Sequence, residues 1–190
     1  MKRRSVVIVA ILSTVGVLPM SARSQSDLPQ HPNGSLGFHT TAAPLGGRWW
    51  FGAQKVGIDF GLGFSSTPAP SYDDESLMGV TVDVGVPIVL KNWDKVHLMF
   101  RPGLLYATQE EQMSSPPDPF DSDDATTMGV TLEIEGEVFI VDNFSVSASH
   151  GIGFFSDDPA GPGDSRSSFT TLGNNFSHIG FHVYFFGGGS

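Results

Sequence analysis

The chain has 190 residues, with 10 lysines and arginines against 20 aspartates and glutamates, 23 glycines and no cysteine. That length suits one domain, and the lack of cysteine excludes a disulfide framework, a thiolate-held metal and a lipid-anchored N-terminal cysteine. An acidic balance with no basic patch leaves nothing for nucleic acid to bind.

Lys2, Arg3 and Arg4 open the chain, Val6 to Leu18 form an apolar run, and small residues lead out through Ala22-Arg23-Ser24. The run is shorter than the roughly 20 residues of a spanning helix, so residues 1–24 are expected to be a cleaved signal peptide. Its removal takes four of the ten basic residues with it, leaving six against 20 acidic ones and a net charge of −14. No later stretch resembles a membrane helix, so entry into a bilayer would have to be by strands.

Residues 25–34 read as a flexible lead-in, and eight strands follow. They are drawn at 35–41, 45–52, 55–65, 77–90, 95–108, 125–141, 144–156 and 169–186. The turns near 53–55, 91–94 and 142–143 are short and fall on one side of the sheet. The Pro-, Ser- and Asp-rich loops 66–76, 109–124 and 157–168 fall on the other. Tight turns on one side and roomy loops on the other are what a closed sheet across a bilayer requires.

Alternation gives the faces. Val56, Ile58, Phe60, Leu62 and Phe64 oppose Gly57, Asp59, Gly61 and Gly63. Val80, Val82, Val84, Val86, Ile88 and Leu90 oppose Thr81, Asp83 and Gly85. Met128, Val130, Leu132, Ile134, Val138 and Ile140 oppose Thr131, Glu133, Glu135 and Glu137. Turned inward, the apolar sets would overfill a narrow lumen and leave carboxylates on the outer surface. Turned outward, they give the apolar wall and polar interior of a membrane barrel. The fold expected is all-β: an eight-stranded antiparallel up-and-down transmembrane β-barrel over residues 35–186.

The fifth strand carries the candidate site. Its phase points His97, Met99 and Arg101 inward. Folding about the flanking turns brings Arg101 towards Asp83, Glu133 and Glu135. These four are expected to form a luminal ion-pair cluster, because an Arg fork binds carboxylates bidentately and unpaired carboxylates in such a place are costly. The cluster reads as an ionic plug in preference to a substrate or proton site. Ser149-His150 and Ser177-His178 invite comparison with a hydrolase. Neighbours on a strand point to opposite faces, however, so neither pair is a nucleophile–base couple; a partner would have to come from across a strand. His178 and His182 share a face, but no further metal ligands accompany them. Asp121-Ser-Asp-Asp124 opens like a calcium loop without the glycine and glutamate that should follow. No catalytic residue, metal site or cofactor is expected.

From Gly46 to Phe186 the chain resembles the small bacterial outer-membrane β-barrel proteins of the OmpA/OmpX-like type. The likeness rests on the strand–turn–strand unit 136–148, on Arg48-Trp-Trp-Phe before a short turn, and on the terminal segment His178, Gly180, Val183 and Phe185. That segment looks like the family's assembly signal, although Gly187–Ser190 continue past the aromatic end as a Gly/Ser tail. The resemblance implies a monomer in the cell outer membrane of a Gram-negative envelope. It also implies delivery by periplasmic chaperones, insertion by the barrel-assembly machinery, and outer-membrane lipids as neighbours. The function expected is a non-enzymatic structural or cell-surface role, with a plugged lumen and acidic outer loops. The alternatives are an enzyme acting on lipid A or phospholipid acyl chains, and a narrow porin-like channel or carrier for small apolar solutes.

Overall fold

The computed structural model describes residues 33–40, 43–51, 54–68, 76–112, 122–160, 164–171 and 177–186. The expected signal peptide, residues 25–32 of the lead-in, the Gly/Ser tail and parts of the outer loops lie outside the described residues. Ten strands follow one another: β1 (Gly34–Phe38), β2 (Leu45–Phe51), β3 (Val56–Pro68), β4 (Ser76–Gly85), β5 (Ile88–Trp93), β6 (Val96–Gln112), β7 (Ser122–Val141), β8 (Phe144–Asp158), β9 (Arg166–Thr170) and β10 (Ser177–Phe186). β4 and β5 are two parts of one wall strand, both pairing with β3 and β6. β9 and β10 are two parts of the last one, both pairing with β8. β10 also pairs with β1. The result is a closed antiparallel barrel of eight wall strands.

Closure can be followed pair by pair. A row that starts at Phe154 of β8 passes through Val130, Leu104, Val84, Phe60, Gly47, Leu36 and Val183, and returns to β8 at Phe144. The return lies ten residues along the same strand, 154 against 144. With strands spaced about 4.8 Å apart and rising about 3.3 Å per residue, that stagger tilts them by about 40°. A barrel of this size has an interior that side chains can fill.

Inside and outside are sorted as the alternation requires. Val56, Ile58, Phe60, Leu62, Phe64, Met128, Val130, Ile134, Val138 and Ile140 are exposed on the outer wall. Asp59, Asp83, Glu133, Glu135 and Glu137 are buried within it. Large apolar side chains thus face out while five carboxylates face in.

Four expected elements differ. The fourth strand, drawn as continuous over 77–90, is interrupted at Val86-Pro87. Pro87 lacks an N–H, as does Pro102 on the neighbouring β6, so the ladder loses donors where the two strands meet. The chain stays in place because Val86 N donates to Pro102 O at 2.9 Å and Gly57 N donates to Pro87 O at 2.9 Å. The loop drawn at 109–124 is ladder at both ends, since β6 and β7 remain paired up to Gln112–Ser122. The eighth strand is split rather than continuous. Thr170 faces Gly153 and Ser177 faces His150, so the two pairs are separated by six positions in the last strand and by two in β8. β1 is also shorter than drawn, ending at Phe38; beyond it His39 N donates to Pro44 O and Thr40 N to Ala43 O, which turns the chain into β2.

Candidate functional site: a two-arginine network in the lumen

Alternation on each wall strand delivers one or more polar side chains to the same level of the lumen. β2 supplies Arg48, β3 Asp59, β4 Asp83 and β6 Arg101. β7 supplies Glu133, Glu135 and Glu137, β8 Ser145 and Ser149, and β10 His182 and Tyr184; His39 enters just after β1. Two cross-strand pairs are direct register partners, Arg48 with Asp59 and Arg101 with Glu133.

Arg101 binds on three sides. Its Nε and Nη2 both donate to Asp59 Oδ1, at 3.0 and 2.8 Å. Nη2 also reaches Asp83 Oδ2 at 3.0 Å, and Nη1 reaches Glu133 Oε1 at 2.9 Å. His39 Nε2 lies 3.0 Å from Nη2. The guanidinium can cross from β6 to Asp59 because Gly85 stands between them: a Cβ there would collide with the Arg101 guanidinium carbon and nitrogens. Glycine is needed at this position for the absence of a side chain, not for its backbone freedom.

Arg48 holds the other half. Nη2 donates to Asp59 Oδ2 at 3.0 Å and to both Glu135 oxygens at 2.9 and 2.8 Å; Nη1 reaches Glu137 Oε2 at 3.3 Å. Asp59, fully buried, therefore bridges the two arginines. Hydroxyls complete Glu137 and Glu133, whereas Asp83 Oδ1 and Arg48 Nε are buried without a hydrogen-bond partner among the described residues. Tyr184 OH donates to Glu137 Oε1 at 2.8 Å, Ser145 Oγ donates to the same oxygen at 2.5 Å, and Ser149 Oγ donates to Glu133 Oε2 at 2.7 Å. Trp50 Nε1 donates to Tyr184 OH at 3.4 Å. Charged groups in so dry a place are tolerable only with this density of partners.

An apolar layer of Trp50, Met99, Phe139 and Tyr184 lies against the network towards the short-turn end, with Val89 packed on it. On the other side Leu105 and Phe155 pack with Ala107. Between the arginines and β8 there is a cavity of about 10 Å³ lined by His39, Glu133, Ser147 and His178 among others, room for about one water. Among the described residues, side chains thus occupy the lumen on both sides of the network.

The expected cluster is thus partly rearranged. Arg101 does hold Asp83 and Glu133, but Glu135 belongs to Arg48, because the second arginine lies nearer to it along the tilted row. Arg48 and Asp59 were missing from the expected cluster. A signal for them was present: folding the second and third strands about residues 53–54 sets 48 opposite 59. Of the terminal segment, His178 and Gly180 point inward and are buried; Val183 and Phe185 lie on the outer face, Phe185 exposed. His182 is buried with Nδ1 3.9 Å from Glu137 Oε1. Among the described residues no cluster of His and carboxylates is arranged to hold a metal. Comparison with known proteins returns no matching family model, no matching curated protein and no matching solved structure.

Proposed function

We propose that the chain is an outer-membrane β-barrel with a structural or surface-presenting role, whose lumen is sealed by the Arg48–Asp59–Arg101 network. One observation carries this reading: a closed eight-stranded wall with its apolar side outward surrounds a core of ions bound to one another. Apolar groups facing out suit lipid, and backbone groups paired around a full circle suit a hydrocarbon layer. Export through the N-terminal signal, insertion by the barrel-assembly machinery and a monomeric state belong to the same reading, as does kinship with the OmpA/OmpX-like barrels.

The ion pairing within the network weighs against transport. Each arginine already binds two or more carboxylates, and the cavity beside them admits about one water. Purified barrel in planar bilayers should accordingly show no unitary conductance. A stable wild-type conductance through the folded barrel would overturn the sealed-lumen reading. Recovery of the chain in the inner-membrane or soluble fraction would overturn the location.

A further inference from the structure

The six basic residues beyond residue 24 are sorted by place. Arg48 and Arg101 lie in the lumen, Arg166 begins β9 on the loop side, and Lys55, Lys91 and Lys95 all stand at the short-turn rim. Most acidic residues outside the lumen gather instead in the loops 66–76, 109–124 and 157–168; Asp94 and Asp142 share the rim with the lysines. Among the described residues none of the three lysines is ion-paired. Lys55 stands apart from both aspartates, exposed in the β2–β3 turn, while Asp94 joins β5 to β6 and Asp142 joins β7 to β8. Its carbonyl accepts from Val89 N at 2.8 Å, which fixes the turn against β5.

Above Lys55 the outer wall has a hollow. Leu36, Gly47 and Phe60 are register partners across β1, β2 and β3, and so are Gly34, Trp49 and Ile58. Two of these six outward positions are glycine, so the wall sinks between the four large side chains. The resulting cavity of about 170 Å³ is lined by Gly34, Leu36, Trp49, Ile58 and Phe60 among others. At about 2.5 Å of height per residue in strands tilted about 40°, Ile58 and Phe60 stand about 8 and about 13 Å above Lys55. The apolar face of β3 ends between them and the lysine, at Val56. A bilayer's headgroup layer is roughly 5–8 Å deep on each side. A lipid whose chain lay in the hollow would therefore hold its phosphate level with Lys55. Exposed Trp49 and Trp93 mark the same boundary, as aromatics do where hydrocarbon meets headgroups.

We propose that the hollow and Lys55 form a binding site for one anionic phospholipid of the short-turn leaflet. An acyl chain lies in the hollow against Trp49, and the Lys55 ammonium reaches the phosphate while its apolar stem stays on the wall. Charge chooses this occupant over a second copy of the chain. A two-fold contact through this face would bring a second unpaired Lys55 to the same rim, where like charges repel. An anionic headgroup instead meets a lysine that has no other partner. The site rests on the lipid-facing reading of the wall.

The test is quenching of Trp49 by lipids brominated near the ester end of their acyl chains. It uses the Trp93→Phe barrel, in which the only other tryptophan, Trp50, is buried in the lumen. Vesicles hold equal amounts of phosphatidylcholine and phosphatidylglycerol, and one or the other carries the bromines. Phosphatidylglycerol should occupy the site about fivefold more readily, and high salt should shrink that preference. Lys55→Gln should remove the preference, Lys95→Gln should keep it, and Ile58→Phe, which narrows the hollow, should reduce it. Equal competition between the two lipids in the parent barrel would overturn the selection of an anion. Full preference in Lys55→Gln would overturn the role of that lysine, and full preference in folded Ile58→Phe would overturn the seat of the acyl chain. No quenching by either lipid, in a barrel that floats with liposomes, would show the hollow covered by protein and overturn the site. Folded protein that fails to float would strike the lipid-facing reading, and the site with it.

Discussion

Asp59 is the residue on which the lumen turns, because among the described residues it alone pairs with both arginines. Deleting one partner of a buried ion pair typically costs about 3–5 kcal/mol, since the other charges are left dry and unmatched. Arg101→Ala should therefore lower the urea or thermal stability of the folded barrel in detergent by a large part of that range. The geometry also names the rescue: Asp83→Asn with Glu133→Gln should restore part of the loss, while Glu135→Gln should help only alongside Arg48→Ala. Equal rescue by Glu135→Gln in the Arg101 variant would show that the two arginines do not divide the carboxylates as described. Gly85→Ala places a methyl group against a guanidinium pinned by Asp59, Asp83 and Glu133, so overpacking of roughly 1–3 kcal/mol is expected. Gly136→Ala, where a Cβ meets nothing within 4 Å, should stay within about 0.5 kcal/mol of wild type. Both are read from thermal melts of the folded form.

At the level of the strand, period-two patterning carries most of the information. β3 and β7 could be oriented from sequence because bulky apolar residues alternate with glycines or carboxylates over most of their length, Gly136 and Phe139 being the departures on β7. Val84→Arg or Ile134→Arg should consequently impair insertion by roughly 2–4 kcal/mol near the midplane, and Thr81→Asn, on the inner face, should do much less; the folded fraction by heat modifiability is the readout. Equal losses on both faces would contradict the orientation. Phe185→Ala should reduce the folded yield in membranes without reducing export, if the terminal segment directs assembly. Elsewhere patterning could not suffice. The interruption at Pro87 follows from two missing donors on neighbouring strands, which is visible only once the strands are paired. The split of β9 from β10 leaves the inward–outward phase intact, because the extra residues are even in number, so alternation alone has no means of detecting it. Arg48 stayed outside the expected cluster because its strand is short and rich in glycine and tryptophan, a weak source of phase.

For the whole molecule, a stagger of ten around eight strands and a lumen filled with mutually bound ions describe a barrel that holds its shape from within as well as through its wall. The seam between β1 and β10 is as thin as any part of that wall, five residue pairs like β1 with β2 but with a register shift at Gly34/Ser35, whereas β6 and β7 are matched along seventeen. This inequality has a consequence in time. The seam unites positions 34 and 186, almost the full described span, so loop entropy delays it until the rest of the sheet already holds the two ends near each other. The β6–β8 meander, with its short turn and long ladders, is the natural first arrival, and the first and last strands meet only at the end. In reverse, the barrel should unzip at that clasp. Amide exchange in the folded protein should be fastest, among wall strands, along Ser35–Phe38 and their partners on β10, and a disulfide introduced across the Leu36–Val183 pair should slow unfolding far more than one between β6 and β7.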